Sequence, residues 1–145
     1  MFKKILVPTD GSPLAGKAVE AAIGFARESG AGLVAISVAQ PYPFFPLARQ
    51  AASEPVSALE TGTLNAAKDH VKSVKEAAQA AGVHCETVVV QSGSPYREIV
   101  DAAAAEKCDV IFMASHGHGG LSRLFVGSET QKVLAHSTLP VLVFR

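Results

Sequence analysis

The sequence predicts an α/β fold: a doubly wound, five-stranded parallel sheet in the order 3-2-1-4-5, with helices on both faces. Three observations lead there. Short apolar runs alternate with helix-like segments from end to end. The resulting order, βαβαβαβαβ, makes the strands parallel, because each right-handed crossover needs a helix to span it. The length, 145 residues, is that of one ordinary domain, and such a chain buries roughly 70% of its unfolded surface without a disulfide or metal staple. One domain over residues 1–145 is expected, with no internal repeat, low-complexity segment or linker.

The elements follow in order. Phe2 to Val7 is an apolar run closed by Pro8-Thr9-Asp10-Gly11, a buried strand ending in a turn. Ser12 then caps a helix, Pro13 suits its first position, and Ala18, Ala22, Phe25 and Ala26 share a face before Gly30 stops it. Leu33 to Ala39 is a second buried strand. Pro41, Pro43 and Pro46 exclude a central strand after it, so residues 40–55 read as a surface excursion. Val56 to Ala81 is helical, with Leu59, Thr63, Ala66, His70 and Val74 near one stripe and Gly82 at its end. Cys85 to Val90 is the third strand. Ser94 is the natural cap of a short helix running through Ala105. Asp109 to Ala114 is the fourth strand, Ser128 to Ala135 the last helix, and Pro140 to Phe144 the fifth strand.

Composition narrows the function. Hydrophobic residues make up 48% and charged residues 18%, which excludes intrinsic disorder. Thirteen basic side chains balance thirteen acidic ones, so no excess charge points to nucleic acid or anionic lipid. No apolar run approaches the ~20 residues that cross a bilayer. Ile5-Leu6-Val7 before Pro8 is too short an apolar stretch for a signal peptide, and a cytoplasmic protein is expected. Cys85 and Cys108 form no Cys-x-x-Cys pair and read as buried small hydrophobes.

In doubly wound, Rossmann-like sheets, ligands bind outside the carboxyl ends of the strands, where the strand order reverses. The segments at that crevice are Thr9 to Lys17 and Ala114 to Glu129. The first imitates a P-loop, with Gly11 and Gly16-Lys17 after a strand, but Ala18 stands where a hydroxyl would hold magnesium and Pro13 removes a backbone donor. An ordinary strand–turn–helix connection is the better reading. In the second segment, Gly117, Gly119 and Gly120 let backbone approach a ligand, and their amides can form an anion nest. Gly127-Ser128 opens a helix whose free amides suit a phosphate, with His116, His118 and Arg123 adding donors nearby. The same glycines and Ser128 would also serve a plain turn and a helix cap.

Val-Pro-Thr-Asp-Gly-Ser at 7–12, Gly-Ser-Pro at 93–95, Met-Ala-Ser-His-Gly at 113–117, Gly-Ser-Glu-Thr at 127–130 and Pro-Val-Leu-Val at 140–143 resemble the universal stress protein family, in its order and spacing. Its nucleotide-binding branch carries Gly-x2-Gly-x9-Gly-Ser/Thr. Gly117, Gly127 and Ser128 match that pattern, whereas Ala114 replaces the first glycine. The resemblance implies an ATP site. Pro8, Thr9, Asp10 and Val38 would border adenine, and Met113 with the backbone of Ala114 would lie along the ribose. Gly117, Gly127, Ser128 and Glu129 would hold the triphosphate through backbone amides and the Ser128 hydroxyl, with Mg bridging phosphates. The methyl of Ala114 would clash if the ribose passes tightly over it, and would cost little if that position keeps strand dihedrals.

Other chemistries find little support. Asp10 reads as a turn former that binds nearby amides. A receiver-like site would need a carboxylate after the third strand, where Gln91-Ser92-Gly93 stands. His116 and His118 have no carboxylate or cysteine beside them at zinc spacing, and no Gly-x-Ser-x-Gly elbow is present. No catalytic or metal-ligating set is expected; at most the protein is a slow ATPase, or phosphorylates itself at Ser128 or Ser122. The leading expectation is an ATP-binding regulatory module of the stress response, and the alternative is a homodimeric scaffold without nucleotide. The stretch Tyr42 to Pro46 reads as a cover or a partner contact. The last strand lies at the sheet edge, apolar on both faces, so a homodimer through it is expected.

Overall fold

The computed structural model of the chain describes residues 1–41, 56–118 and 126–145. The strands are β1 (Lys4–Pro8), β2 (Gly32–Ala39), β3 (Cys85–Gln91), β4 (Val110–Ala114) and β5 (Val141–Phe144). Between them lie α1 (Pro13–Ser29), α2 (Val56–Ala80), α3 (Pro95–Ala105) and α4 (Ser128–His136). The sheet is five-stranded in the order β3-β2-β1-β4-β5, and every pairing is parallel. This is the expected α/β topology.

The central strand shows why the sequence folds this way. Ile5, Leu6 and Val7 are all fully buried, because successive side chains point into cores on opposite faces. Ile5 and Val7 join a cluster with Val19, Ala22 and Ala26 of α1 and Val71, Val74 and Ala78 of α2. Leu6 joins the other cluster, with Ile99 and Ala103 of α3 and Val133 of α4. Two helices therefore cover each face.

Local signals set most boundaries. Ser12 Oγ accepts from the Ala15 amide at 3.2 Å and Pro13 takes the first helical position of α1, while Gly30 ends it at φ 75°. Only a residue without Cβ adopts that left-handed turn cheaply.

Two expectations are corrected. The buried stripe of α2 is Ala67, Val71, Val74 and Ala78, while Ala66 is exposed and His70 half-buried. The spacing of four, three and four residues sets the core face one residue away from the expected stripe, and only Val74 belongs to both. In α3, Ser94 holds the N-cap position but its side chain makes no cap bond. Instead Ser92 Oγ accepts from the Ser94 amide at 3.1 Å, and the Glu129 carboxylate of α4 accepts from the Tyr96 amide at 2.8 Å. A charged acceptor from a neighbouring helix satisfies a first-turn donor better than a hydroxyl does. Most of the expected 40–55 excursion, with Tyr42 to Pro46, lies outside the described residues, as do Gly119, Gly120, Ser122 and Arg123.

Candidate functional site

β1 pairs with β2 on one side and β4 on the other, so the strand order reverses there and the two following connections leave on opposite faces. A cleft of about 270 Å³ opens at that point, over the carboxyl ends of β1, β2 and β4. Pro8, Thr9, Asp10, Val38, Met113, Ala114, Gly117 and Glu129 all line it. Gly127 and Ser128 do not line it, but they immediately precede Glu129 and Thr130, which do.

One part of the cleft is apolar. Ile36 and Val38 from β2, Met113 from β4, and Pro95 and Ile99 from α3 line an apolar slot. Ile36 and Val38 share a face because strand side chains alternate, and Pro95 and Ile99 share one because they stand four apart on a helix. Sequence reading singled out Val38 and missed Ile36, Pro95 and Ile99. The period-two partner of Val38 was the available signal for Ile36; nothing local signalled that α3 closes the slot. Gln40, also missed, adds an exposed amide at the rim.

The other part is built from backbone. Ala114 ends β4 paired with Phe144, and among the described residues Lys107 is the one non-glycine with positive φ. Ala114 thus keeps ordinary strand dihedrals, and glycine's freedom is not required there. The Ala114 carbonyl accepts from Thr130 Oγ1 at 2.9 Å, tying β4 to the first turn of α4.

Beyond Ala114 the chain leaves the sheet and folds back on the β1–α1 turn. Asp10 is the anchor. Its Oδ1 accepts from the Ser12 amide at 2.9 Å and its Oδ2 from the His118 amide at 3.2 Å. Burial pushes its carboxyl up, but the hydrogen bonds from Ser12, the His118 amide and the nearby imidazole outweigh this and hold it below the usual aspartate value. Gly117 lies directly over this carboxylate, and a Cβ there would collide with Oδ2. At Gly127, a Cβ would stand 3.1 Å from the Ser115 carbonyl and 3.2 Å from His116 Cα. The Gly127 amide donates to that same carbonyl at 2.6 Å. Both motif glycines thus sit in tight quarters before any ligand is considered, Gly117 against the Asp10 side chain and Gly127 against the 115–116 backbone. Ser115 is buried and its hydroxyl pairs with His116 Nδ1 at 3.0 Å, fixing the imidazole that lines the cleft.

α4 begins at Ser128, with Gly127 as its N-cap and no side-chain cap bond. Among the described residues no side chain caps its first-turn amides, and Ser128 is exposed. The Glu129 carboxylate is committed elsewhere, to the Tyr96 amide and to Lys132 Nζ at 3.3 Å. Its backbone alone is free to serve a bound anion. Among the described residues, no group of three or more His, Cys, Asp or Glu could hold a metal ion.

Comparison with known proteins agrees with this fold. The family model described as "Universal stress protein family" matches residues 1–145. The chain belongs to the universal stress protein family. Universal stress protein MJ0531 of Methanocaldococcus jannaschii is 36% identical over 147 residues, covering 100% of this chain and 83% of that one. A Thermus aquaticus universal stress protein is 34% identical and covered in full, as is this chain. The solved structure of protein MJ0577 superposes with a TM-score of 0.82 at 29% identity, over 99% of this chain and 96% of that one. Two further universal stress proteins, solved in complex with cAMP and with dAMP, match with TM-scores of 0.71 and 0.67. At 23% and 19% identity they share the fold.

Proposed function

We propose that this universal stress protein is a regulatory module that binds an adenine nucleotide, ATP in the first instance, in the switch-point cleft. The observation that carries the reading is the pairing of an apolar slot with an uncapped helix N-terminus next to it. The slot takes a base and its sugar; the first-turn amides of α4, backed by the helix dipole, take phosphate. At about 270 Å³ the cleft is smaller than the ~300–1,000 Å³ of drug-sized sites. It therefore encloses the nucleoside and leaves the phosphates at the rim, beside Gly117, Gly127 and Ser128. Pro8, Thr9, Asp10 and Val38 border the base and Met113 and Ala114 the sugar. Mg would be held by the phosphate oxygens of the bound nucleotide.

The reading is one of binding, with slow ATP hydrolysis or self-phosphorylation as the most turnover it allows; the two amides on Asp10 and the Ser115 contact on His116 Nδ1 commit part of each group's hydrogen-bonding capacity. A second part of the proposal is self-association through β5. Its outer edge has no partner strand among the described residues, and Leu142 is 48% exposed. A second copy paired antiparallel would cover it. The competing reading is a dimeric scaffold without nucleotide, favoured only by Ala114, whose strand dihedrals weaken it.

Mass spectrometry of the purified protein tests the reading, with Ser128→Glu as the control. The new carboxylate suits the helix N-terminus and keeps the fold, but occupies the phosphate position. An adenine nucleotide on the wild type that is absent from the variant supports the site. Equal loading of both places the nucleotide elsewhere.

A further inference from the structure

We propose that Asp10 and His118 form a latch that positions the phosphate side of the cleft; its consequence for ligands rests on the nucleotide-binding reading. The two residues are 108 positions apart in sequence and meet twice. The Asp10 carboxylate accepts from the His118 amide at 3.2 Å, and the Asp10 carbonyl lies 3.1 Å from His118 Nε2. Side chain grips backbone, and backbone grips side chain. Two contacts in opposite sense fix orientation as well as distance, which a single hydrogen bond does not.

The surroundings give the latch its purpose. Ser115 is still held by the sheet, through its amide on the Phe144 carbonyl at 2.7 Å. Gly117 and His118 are exposed, and what ties them to the rest of the molecule among the described residues is Asp10. Asp10 itself is anchored, because Ser12 holds its other oxygen and the preceding Thr9 amide donates to the Ile36 carbonyl of β2 at 2.9 Å. Gly117 lets the segment lie flat on the carboxylate. On the far side of the same turn, His70 of α2 packs against Gly11 so closely that a Cβ there would stand 2.5 Å from its Nε2. The turn is thus braced from below while it holds the loop above. The ionised carboxylate is an acceptor only, so it does not bind phosphate; it acts through the loop, as a positioning residue.

Holding residues 116–118 in place removes an ordering cost that phosphate would otherwise bear, and bears less on the nucleoside, whose apolar slot is lined by Ile36, Val38, Pro95, Ile99 and Met113. Loosening the latch therefore lowers affinity for AMP more than for adenosine. Hydrogen bonds to charged groups of this kind correspond to about tenfold in an equilibrium.

Two measurements on the full chain test this. Amide hydrogen exchange of the ligand-free protein reads the latch directly: the His118 amide is protected in the wild type and exchanges about tenfold faster in Asp10→Asn and in His118→Ala. An amide that is unprotected in the wild type, or unchanged in both variants, overturns the latch. Calorimetry with adenosine and AMP then reads its role. His118→Ala weakens AMP about tenfold and adenosine by less than twofold. Equal weakening of both ligands, or of neither, overturns the positioning role. If the wild type binds neither compound, the nucleotide reading fails and the ligand consequence with it, while the exchange rates still decide whether the latch exists.

Discussion

Gly117 and Asp10 illustrate how much of the site is decided by single atoms. Adding one methyl at Gly117 drives it onto the Asp10 carboxylate, which can retreat only at the cost of its hydrogen bonds from Ser12 and His118. Gly117→Ala therefore loses about 1–3 kcal/mol in urea unfolding, the usual range for overpacking. Asp10 also links stability to pH. Its folded value is lowered, so its contribution is fully present above the unfolded value near 3.8 and disappears as the pH falls through the folded one. The stability gap between wild type and Asp10→Asn should be constant from pH 5 to 8 and shrink below about pH 4. A gap that persists unchanged in acid would contradict the assignment. The cysteines behave as the sequence suggested: both are buried, and burial raises the thiol of Cys108 to about 11. Neither should react with a thiol reagent at pH 7.5 until the protein unfolds. The position of Asp10 at the end of β1 was legible as a turn former. Its grip on His118 was not, because nothing in the spacing of two residues 108 apart records that they touch.

Elements whose ends are marked by Pro, Gly or Ser came out of the sequence almost whole. α1 is the clearest, with Ser12, Pro13 and Gly30 all in the roles their chemistry favours. Ser12→Ala should cost about 1 kcal/mol, as cap removals do. Ser94 looked equivalent and is not, since its donor is served by Ser92 and the next amide by Glu129. Ser94→Ala is expected to fall within about 0.5 kcal/mol of wild type, whereas Glu129→Ala costs about 1 kcal/mol or more by leaving the Tyr96 amide unpaired. Reversed sizes in chemical denaturation would show that the cap is local after all. A side chain arriving from another helix cannot be read from the capped segment alone. The stripe of α2 was displaced for a related reason. Small residues dominate that helix, so its pattern constrains the buried face weakly, and contact with β2 and β3 selects it.

The order β3-β2-β1-β4-β5, one of several that an alternating βα chain allows, puts the cleft between β1 and β4. Which helix roofs the cleft is a property of the whole molecule, and α3 entered that role unannounced. The sheet also ends on β5, with Leu142 exposed. In solution a mass of twice 15.0 kDa is expected by light scattering, and Val141→Lys or Val143→Lys should shift it toward monomer or aggregate. A wild-type monomer at micromolar concentration would contradict the edge pairing without touching the site. The central claim, that the cleft holds an adenine nucleotide, is tested most directly by thermal melting with and without Mg-ATP. A ligand at about 100 times its dissociation constant adds roughly 2.7 kcal/mol, which raises the melting temperature of a domain this size by several degrees. That rise should be absent in Ser128→Glu. No rise in the wild type at millimolar Mg-ATP would contradict the account.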